Sequence, residues 1–348
     1  MLGQLIRALS WRVFFLLLTF FSGLVSQTYA YKETMLFDYM PNCAGKKGLL
    51  DFHIAEAREL IKAAKHAIDT VDRNIVAQKL VTSYFKIEFV PFDVYVELVN
   101  TFLQTGAYPD KRKKPRLYCN DDIVQSFPWN AAAVDANGEY VVNEQNGQYY
   151  TIRDIYPNFP DKKNQIPYLV TDRNAYYFDS PNMGGCAPGS LGETLTGMPD
   201  WHSWLSPMQW TSTLDSEMTF ICPEALDGTH KFLGYLGQTG WIDPDSHTTL
   251  DSLVPESGTL YHELFHLVSG RIGFKREMDP TKYKTRIVGD YSASLMGCLN
   301  LDRDRAIMNA ESYVYFSLAY WYYYNDWNNG KKRITFYPGY AVYWDWPM

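Results

Sequence analysis

The chain has 348 residues, a formal net charge of −7, 46% hydrophobic and 20% charged residues, and 27 tyrosines. An acidic excess of this size repels polyphosphate backbones and anionic lipid surfaces, which argues against nucleic acid or a charged membrane as partner. The length exceeds what one small core needs and predicts one enlarged domain or two subdomains.

The first stretch is MLGQLIRALSWRVFFLLLTFFSGLVSQTYA. Arg7 and Arg12 precede an uncharged run of 13 residues from Val13 to Val25, and small residues lead to Ala30. A basic start, a short apolar centre and a small-residue exit predict a secretory signal peptide over 1–30, cleaved after Ala30. The run is shorter than the roughly 20 residues of a spanning helix. The expected mature protein is therefore secreted and extracellular, with no stable membrane insertion. Cleavage removes two arginines and no acid, taking the net charge from −7 to −9.

Residues 51–85 are free of Gly and Pro, and Ala55, Leu60, Ala63, Ala67, Ile68, Val71 and Ile75 recur at helical spacing. A second helix is expected over 92–106, ended by Gly106, and the basic run KRKKP at 111–115 predicts a solvated turn. These elements form a helical N-terminal part over 31–119. Residues 120–220 are rich in Gly, Pro, Asn and Asp and read as a loop- and hairpin-rich insertion, with one hairpin turning at Asn146-Gly147. Residues 180–201 read as a long loop, and SEMTFICPEAL at 216–226 supplies a short strand. Residues 302–327 predict one long helix within a final part over 221–348. The expected fold class is α+β.

Five cysteines, Cys43, Cys119, Cys186, Cys222 and Cys298, predict up to two disulfides in an oxidising compartment, with one thiol left over. There is no Cys-x-x-Cys pair and no Asn-x-Ser/Thr acceptor.

The chemistry concentrates in TLYHELFHLVSG at 259–270. On a helix, His262 and His266 lie on one face and can direct ring nitrogens at one metal ion. Glu263 sits one step round, too far to be a ligand and placed to deprotonate a metal-activated water. Leu264, Phe265 and Leu267 supply the buried side, and Gly270 can end the helix. A chance occurrence of His-Glu-x-x-His is rare in a chain of this length, and the strand upstream and the helix formers within fit a zinc helix. A catalytic zinc needs a third protein ligand, and downstream the candidates are Asp290 and Glu311. The remaining histidines, His53, His66, His202, His230 and His247, all precede the motif and read as structural or exposed.

The segments HELFH, VGDYSAS and DRAIMNAESYVYFS resemble those of the aspzincins, the family of deuterolysins and lysine-specific metallo-endopeptidases. Members carry His-Glu-x-x-His, then Gly-Thr-x-Asp-x-x-Tyr-Gly, then a helix with Asn-Ala-Asp and nearby aromatics. The resemblance covers about half of the mature chain. It implies a zincin-like fold with a helical N-terminal part, a short sheet, an active-site helix and C-terminal helices. It also implies Zn2+ held by His262, His266 and Asp290, with Glu263 as general base and Tyr291 stabilising the oxyanion. A peptide or protein would be the substrate, making the chain a zinc metalloendopeptidase. The segments around Cys43 and Cys119 match cysteine-bearing segments of the family, which implies a Cys43–Cys119 bridge.

The middle motif departs from the family pattern: Val288-Gly289 replaces Gly-Thr, and the later Tyr-Gly is missing. Glu311 stands where members have the aspartate of Asn-Ala-Asp, and Val314 stands where lysine-specific members have a second acid. The resemblance therefore implies mixed cleavage specificity. Two alternatives stay open: Glu311 as the third ligand, as in glutamate zincins, and a secreted binding protein that keeps the fold without turnover.

Overall fold

A computed structural model describes residues 37–86, 114–135, 137–157, 164–182, 184–195, 217–227, 232–234, 242–277, 288–325 and 333–344. The leader at 1–30, the helix expected over 92–106 and the basic residues 111–113 lie outside them.

The N-terminal helical stretch is two helices, α1 at Lys47–Thr70 and α2 at Ile75–Phe85. Leu50, Ile54, Ala57, Leu60, Ile61, Ala64, Ala67 and Ile68 form the buried stripe of α1, at three-to-four spacing. Asn74 divides the pair: its side-chain oxygen accepts from the amides of Val76 and Ala77 and starts α2. Its Nδ2 donates to the Tyr320 hydroxyl at 3.0 Å, which ties the break to the C-terminal helix. Ile75, expected on the buried face, falls at this new start and is 44% exposed.

The main sheet has strand order β1-β2-β7-β6, formed by Asp38–Tyr39 (β1), Arg116–Tyr118 (β2), Met218–Ile221 (β7) and Gly192–Leu195 (β6). β1, β2 and β7 are parallel, and β6 pairs antiparallel to β7 at one edge, with Gly192 opposite Ile221. β6 falls within the stretch expected to be loop. Its single apolar residue, Leu195, gives no alternation to read, and pairing with β7 makes it a strand. Leu117 and Ile221 join the core shared with the helices, whereas Tyr118, Met218 and Phe220 join a second core on the opposite face.

That second core is closed by an antiparallel three-stranded sheet, β3 (Val124–Ser126), β4 (Ile166–Val170) and β5 (Ala175–Asp179), through Tyr168, Val170 and Tyr177. A satellite core of Ala133, Val141, Ile152 and Tyr156 holds the hairpin, which turns through Gly147 at φ +72°. The one-turn helix α3, Ile152–Ile155, begins there with a reciprocal Thr151/Asp154 capping box.

The motif helix α4 spans Ser257–Glu277 and continues through Gly270 instead of ending there. A glycine inside a helix costs about 1 kcal/mol, which neighbouring turns can offset. The long C-terminal helix is also divided, into α6 at Arg303–Ala306 and α7 at Ala310–Tyr324, and α5 at Leu295–Asn300 precedes them. α7 is buried on almost every side and packs against α1, α2 and α4. Its hydroxyls find partners inside: Tyr313 donates to the Ile307 carbonyl at 2.7 Å, and Ser317 meets the hydroxyl of Tyr261 on α4 at 2.8 Å. A short ribbon, β8 (Ile334–Thr335) and β9 (Val342–Tyr343), completes the described chain.

Two disulfides are present, Cys43–Cys119 and Cys186–Cys222, and Cys298 is a buried free thiol. The first pins the approach to α1 onto the end of β2 across 76 residues, a closure that contributes about 3–5 kcal/mol. The second holds the segment before β6 against the end of β7. The fold is α+β, and no helix among the described residues is long and apolar enough to cross a membrane.

Candidate metal centre

Leu260, Tyr261, Leu264, Phe265, Leu267 and Val268 are all buried, so α4 is held on most of its circumference. The side left open carries His262 and His266, whose side chains keep 17% and 15% of their surface exposed. Their Nε2 atoms stand 3.0 Å apart. Asp290, from the loop after α4, brings Oδ1 to 2.9 Å from His262 Nε2 and 3.2 Å from His266 Nε2. His262, His266 and Asp290 are thus a group that could hold a metal ion.

The outward ring nitrogens decide what those three atoms offer. His266 Nδ1 lies 3.1 Å from the Val288 carbonyl, which can only accept, so this nitrogen carries a proton. His262 Nδ1 lies 2.7 Å from Glu311 Oε2, and a carboxylate likewise accepts. With a proton on each Nδ1, an imidazole that carries no second proton presents its lone pair at Nε2, and the two Nε2 atoms face each other and the Asp290 oxygen. Three acceptors this close repel unless positive charge lies among them.

The proton affinities express the same demand. Burial alone would lower the His262 pKa, but hydrogen bonds to Asp290 and Glu311, with the charges of Glu263 and Glu311, raise it well above the ordinary value. Burial alone would raise the Asp290 pKa, but hydrogen bonds from His262 and His266, and their charge, hold it well below the usual carboxylate range. A divalent cation supplies that positive charge without protons. Ligand atoms of a tetrahedral zinc with bonds of about 2.0–2.1 Å stand about 3.3 Å apart, close to the separations seen here. Two imidazoles and one carboxylate suit a divalent first-row metal and leave a coordination position open.

Glu263 is buried at 3% exposure, and its Oε2 has no hydrogen-bond partner. Burial raises its pKa, opposed by the charges of His262 and His266. β6 passes directly over it: a Cβ on Gly192 would stand 2.9 Å from Glu263 Oε1 and 3.1 Å from the Phe220 carbonyl. Thr194, two residues on, donates to the Glu263 backbone carbonyl at 3.3 Å. Any side chain there would have to displace the Glu263 carboxylate, so glycine suits this close approach of strand to helix.

Glu311, in the first turn of α7, meets His262 at the nitrogen remote from the converging group. It is placed to fix the tautomer and plane of His262, the role a carboxylate plays behind many metal-bound histidines. Val314 is 1% exposed and belongs to the main core. It therefore offers almost no surface to a substrate. Tyr291 follows Asp290 and is 49% exposed. Of the remaining histidines, His53 is buried, His66 bonds the Tyr320 hydroxyl at 2.8 Å and His247 stacks on Tyr340; His202 and His230 lie outside the described residues.

Sequence reasoning missed three contributors. Gly192 and Thr194 sit in a segment without strand periodicity, and the Val288 carbonyl is a backbone group that no residue type reveals. No protein-family model, no curated protein and no solved structure matches the chain.

Proposed function

We propose that this chain is a secreted zinc-dependent endopeptidase of zincin-like architecture, related to the aspzincins. The observation that carries the reading is the convergence of His262, His266 and the Asp290 carboxylate beside a buried Glu263 whose Oε2 has no hydrogen-bond partner. A bound zinc would polarise both a water and the substrate carbonyl.

In this reading Glu263 takes a proton from the water as its oxygen attacks the peptide carbon, and passes that proton to the amine as the C–N bond breaks. The Tyr291 phenol donates to the carbonyl oxygen as it gains negative charge. Glu311 and the Val288 carbonyl hold the histidines in the required tautomer. β6 is at the sheet edge among the described residues and offers backbone groups to an extended peptide. Two disulfides and the expected leader support an extracellular location.

The test is metal analysis of the purified protein together with casein hydrolysis, with and without a chelator. Expected are one zinc per chain, hydrolysis, and loss of both on chelation. The Glu263→Gln variant should keep zinc and lose turnover. A wild-type protein that binds no metal, or a Gln variant that cleaves as fast as wild type, overturns the reading.

A further inference from the structure

Asp290 sits on a loop, and a loop carboxylate is a precise ligand only if its backbone is held. Gly289, just before it, is fixed by a pair of backbone hydrogen bonds: its amide donates to the Met308 carbonyl at 2.7 Å, and its carbonyl accepts from Ala310 at 3.1 Å. Val288 is held by Ser269, whose hydroxyl accepts from its amide at 3.3 Å, and by His266 through its carbonyl. On the far side of Asp290 the anchoring passes to one side chain, Asn309.

Asn309 is 0% exposed. Its Oδ1 accepts from the amides of Tyr291 at 2.8 Å and Ser292 at 3.0 Å. Its Nδ2 lies 3.0 Å from the Ser292 carbonyl, 3.1 Å from Ser312 Oγ and 3.2 Å from Cys298 Sγ. The carboxamide orientation follows from these partners, since two backbone amides only donate and a carbonyl only accepts. Asn309 is also the N-cap of α7, where an asparagine oxygen ordinarily accepts from the second or third helical amide. Here it makes no such bond, and its oxygen is directed wholly to the loop. The helix has given up its own cap to hold the two residues after Asp290.

We propose that Asn309 is the positioning residue of the metal centre, setting the backbone of Tyr291 and Ser292 so that the Asp290 carboxylate stands between His262 and His266. The role rests on the metal-centre reading above and goes beyond it in naming what builds the third ligand. Asn309 touches neither metal nor substrate; it acts through Asp290. Because its hydrogen-bond capacity is filled inside the protein, a shorter side chain leaves the Tyr291 and Ser292 amides without their acceptor, and the loop relaxes away from the histidines.

The test is a double-mutant cycle read in zinc affinity. Wild type, Asn309→Ala, Asp290→Ala and the double variant are titrated with zinc against a competing chelator. Cobalt(II) absorption of each serves as a second readout of coordination geometry. Asn309→Ala should weaken zinc binding by about 10–100-fold, in the range for residues behind first ligands. Its cobalt spectrum should move toward that of Asp290→Ala, and the double variant should bind no more weakly than Asp290→Ala alone. Val314→Ala, a core truncation in the same helix, should lower thermal stability and leave zinc affinity unchanged. If Asn309→Ala does not fold, Asn309→Ser enters the same cycle.

A wild-type protein without zinc affinity removes the metal-centre reading itself. Zinc bound by wild type and equally well by the Asn309 variant overturns the positioning role alone. So does an Asn309 effect that adds in full to that of Asp290→Ala, because it would then reflect general destabilisation.

Discussion

Glu56 on α1 is 6% exposed, and its pKa is pushed up to about 7 from an ordinary 4.5, chiefly by burial. The nearby charge of Glu256 adds to the rise, and hydrogen bonds from Ser257 and the Leu233 amide oppose it. The folded state thus holds a proton that the unfolded chain releases, so stability falls as pH rises from about 4.5 to about 7 and stays reduced above. A shift of about 2.5 units at about 1.4 kcal/mol each amounts to a loss on the order of 3 kcal/mol. His53, 4.0 Å from Glu256, works the other way: burial lowers its pKa to about 4, so its contribution rises with pH between about 4 and 6.5. The two nearly cancel in wild type over their shared window, and a variant is needed to separate them. Glu56→Gln keeps an oxygen for the Leu233 amide and cannot ionise. Its stability relative to wild type, from denaturant unfolding with metal removed by chelator, should improve by on the order of 3 kcal/mol between pH 4.5 and pH 8. A difference between the two proteins that does not change with pH would refute the assignment of a buried, protonated Glu56.

Asp290→Ala should lower zinc occupancy far more than Glu311→Ala, which removes only the partner of His262 Nδ1 and should cost about 10–100-fold in affinity; the reverse order in a zinc titration would make Glu311 the ligand. Gly192→Ala should reduce hydrolysis by about tenfold or more while zinc binding stays near wild type, because its Cβ would press on Glu263 and the Phe220 carbonyl and on none of the ligand atoms. Unchanged kinetics would show that β6 does not constrain Glu263. Cut sites mapped in a denatured protein mixture should show mixed preference, since Glu311 is engaged by His262 and Val314 is buried. Cleavage almost wholly before lysine would contradict this.

The pairing of His262 with His266 was legible in the sequence because four positions on a helix fix the distance between two side chains before any tertiary contact forms. The buried stripe of α1, the β7 strand and the turn at Gly147 follow from equally local rules of period and backbone freedom. The helix break at Asn74 was locally encoded too, since its side chain caps α2, yet the surrounding apolar periodicity hid it; at Asn309 the side chain holds the loop after Asp290 instead of capping α7. The Cys43–Cys119 bridge was suggested by the family resemblance, and the fold supplies its reason by setting the approach to α1 beside β2.

What spacing alone left open was every relation between distant segments. Spacing offered both Asp290 and Glu311, and the family resemblance favoured Asp290; packing of α7 against α4 sends Glu311 to His262 Nδ1 and leaves Asp290 at the two Nε2 atoms. β6 is a strand only because β7 offers it a partner, and Gly192 matters only because that pairing lays it on Glu263. A helix sets distances within one segment through its own covalent geometry. A metal centre is closed by a residue from another segment, whose distance exists only once the core between them has packed.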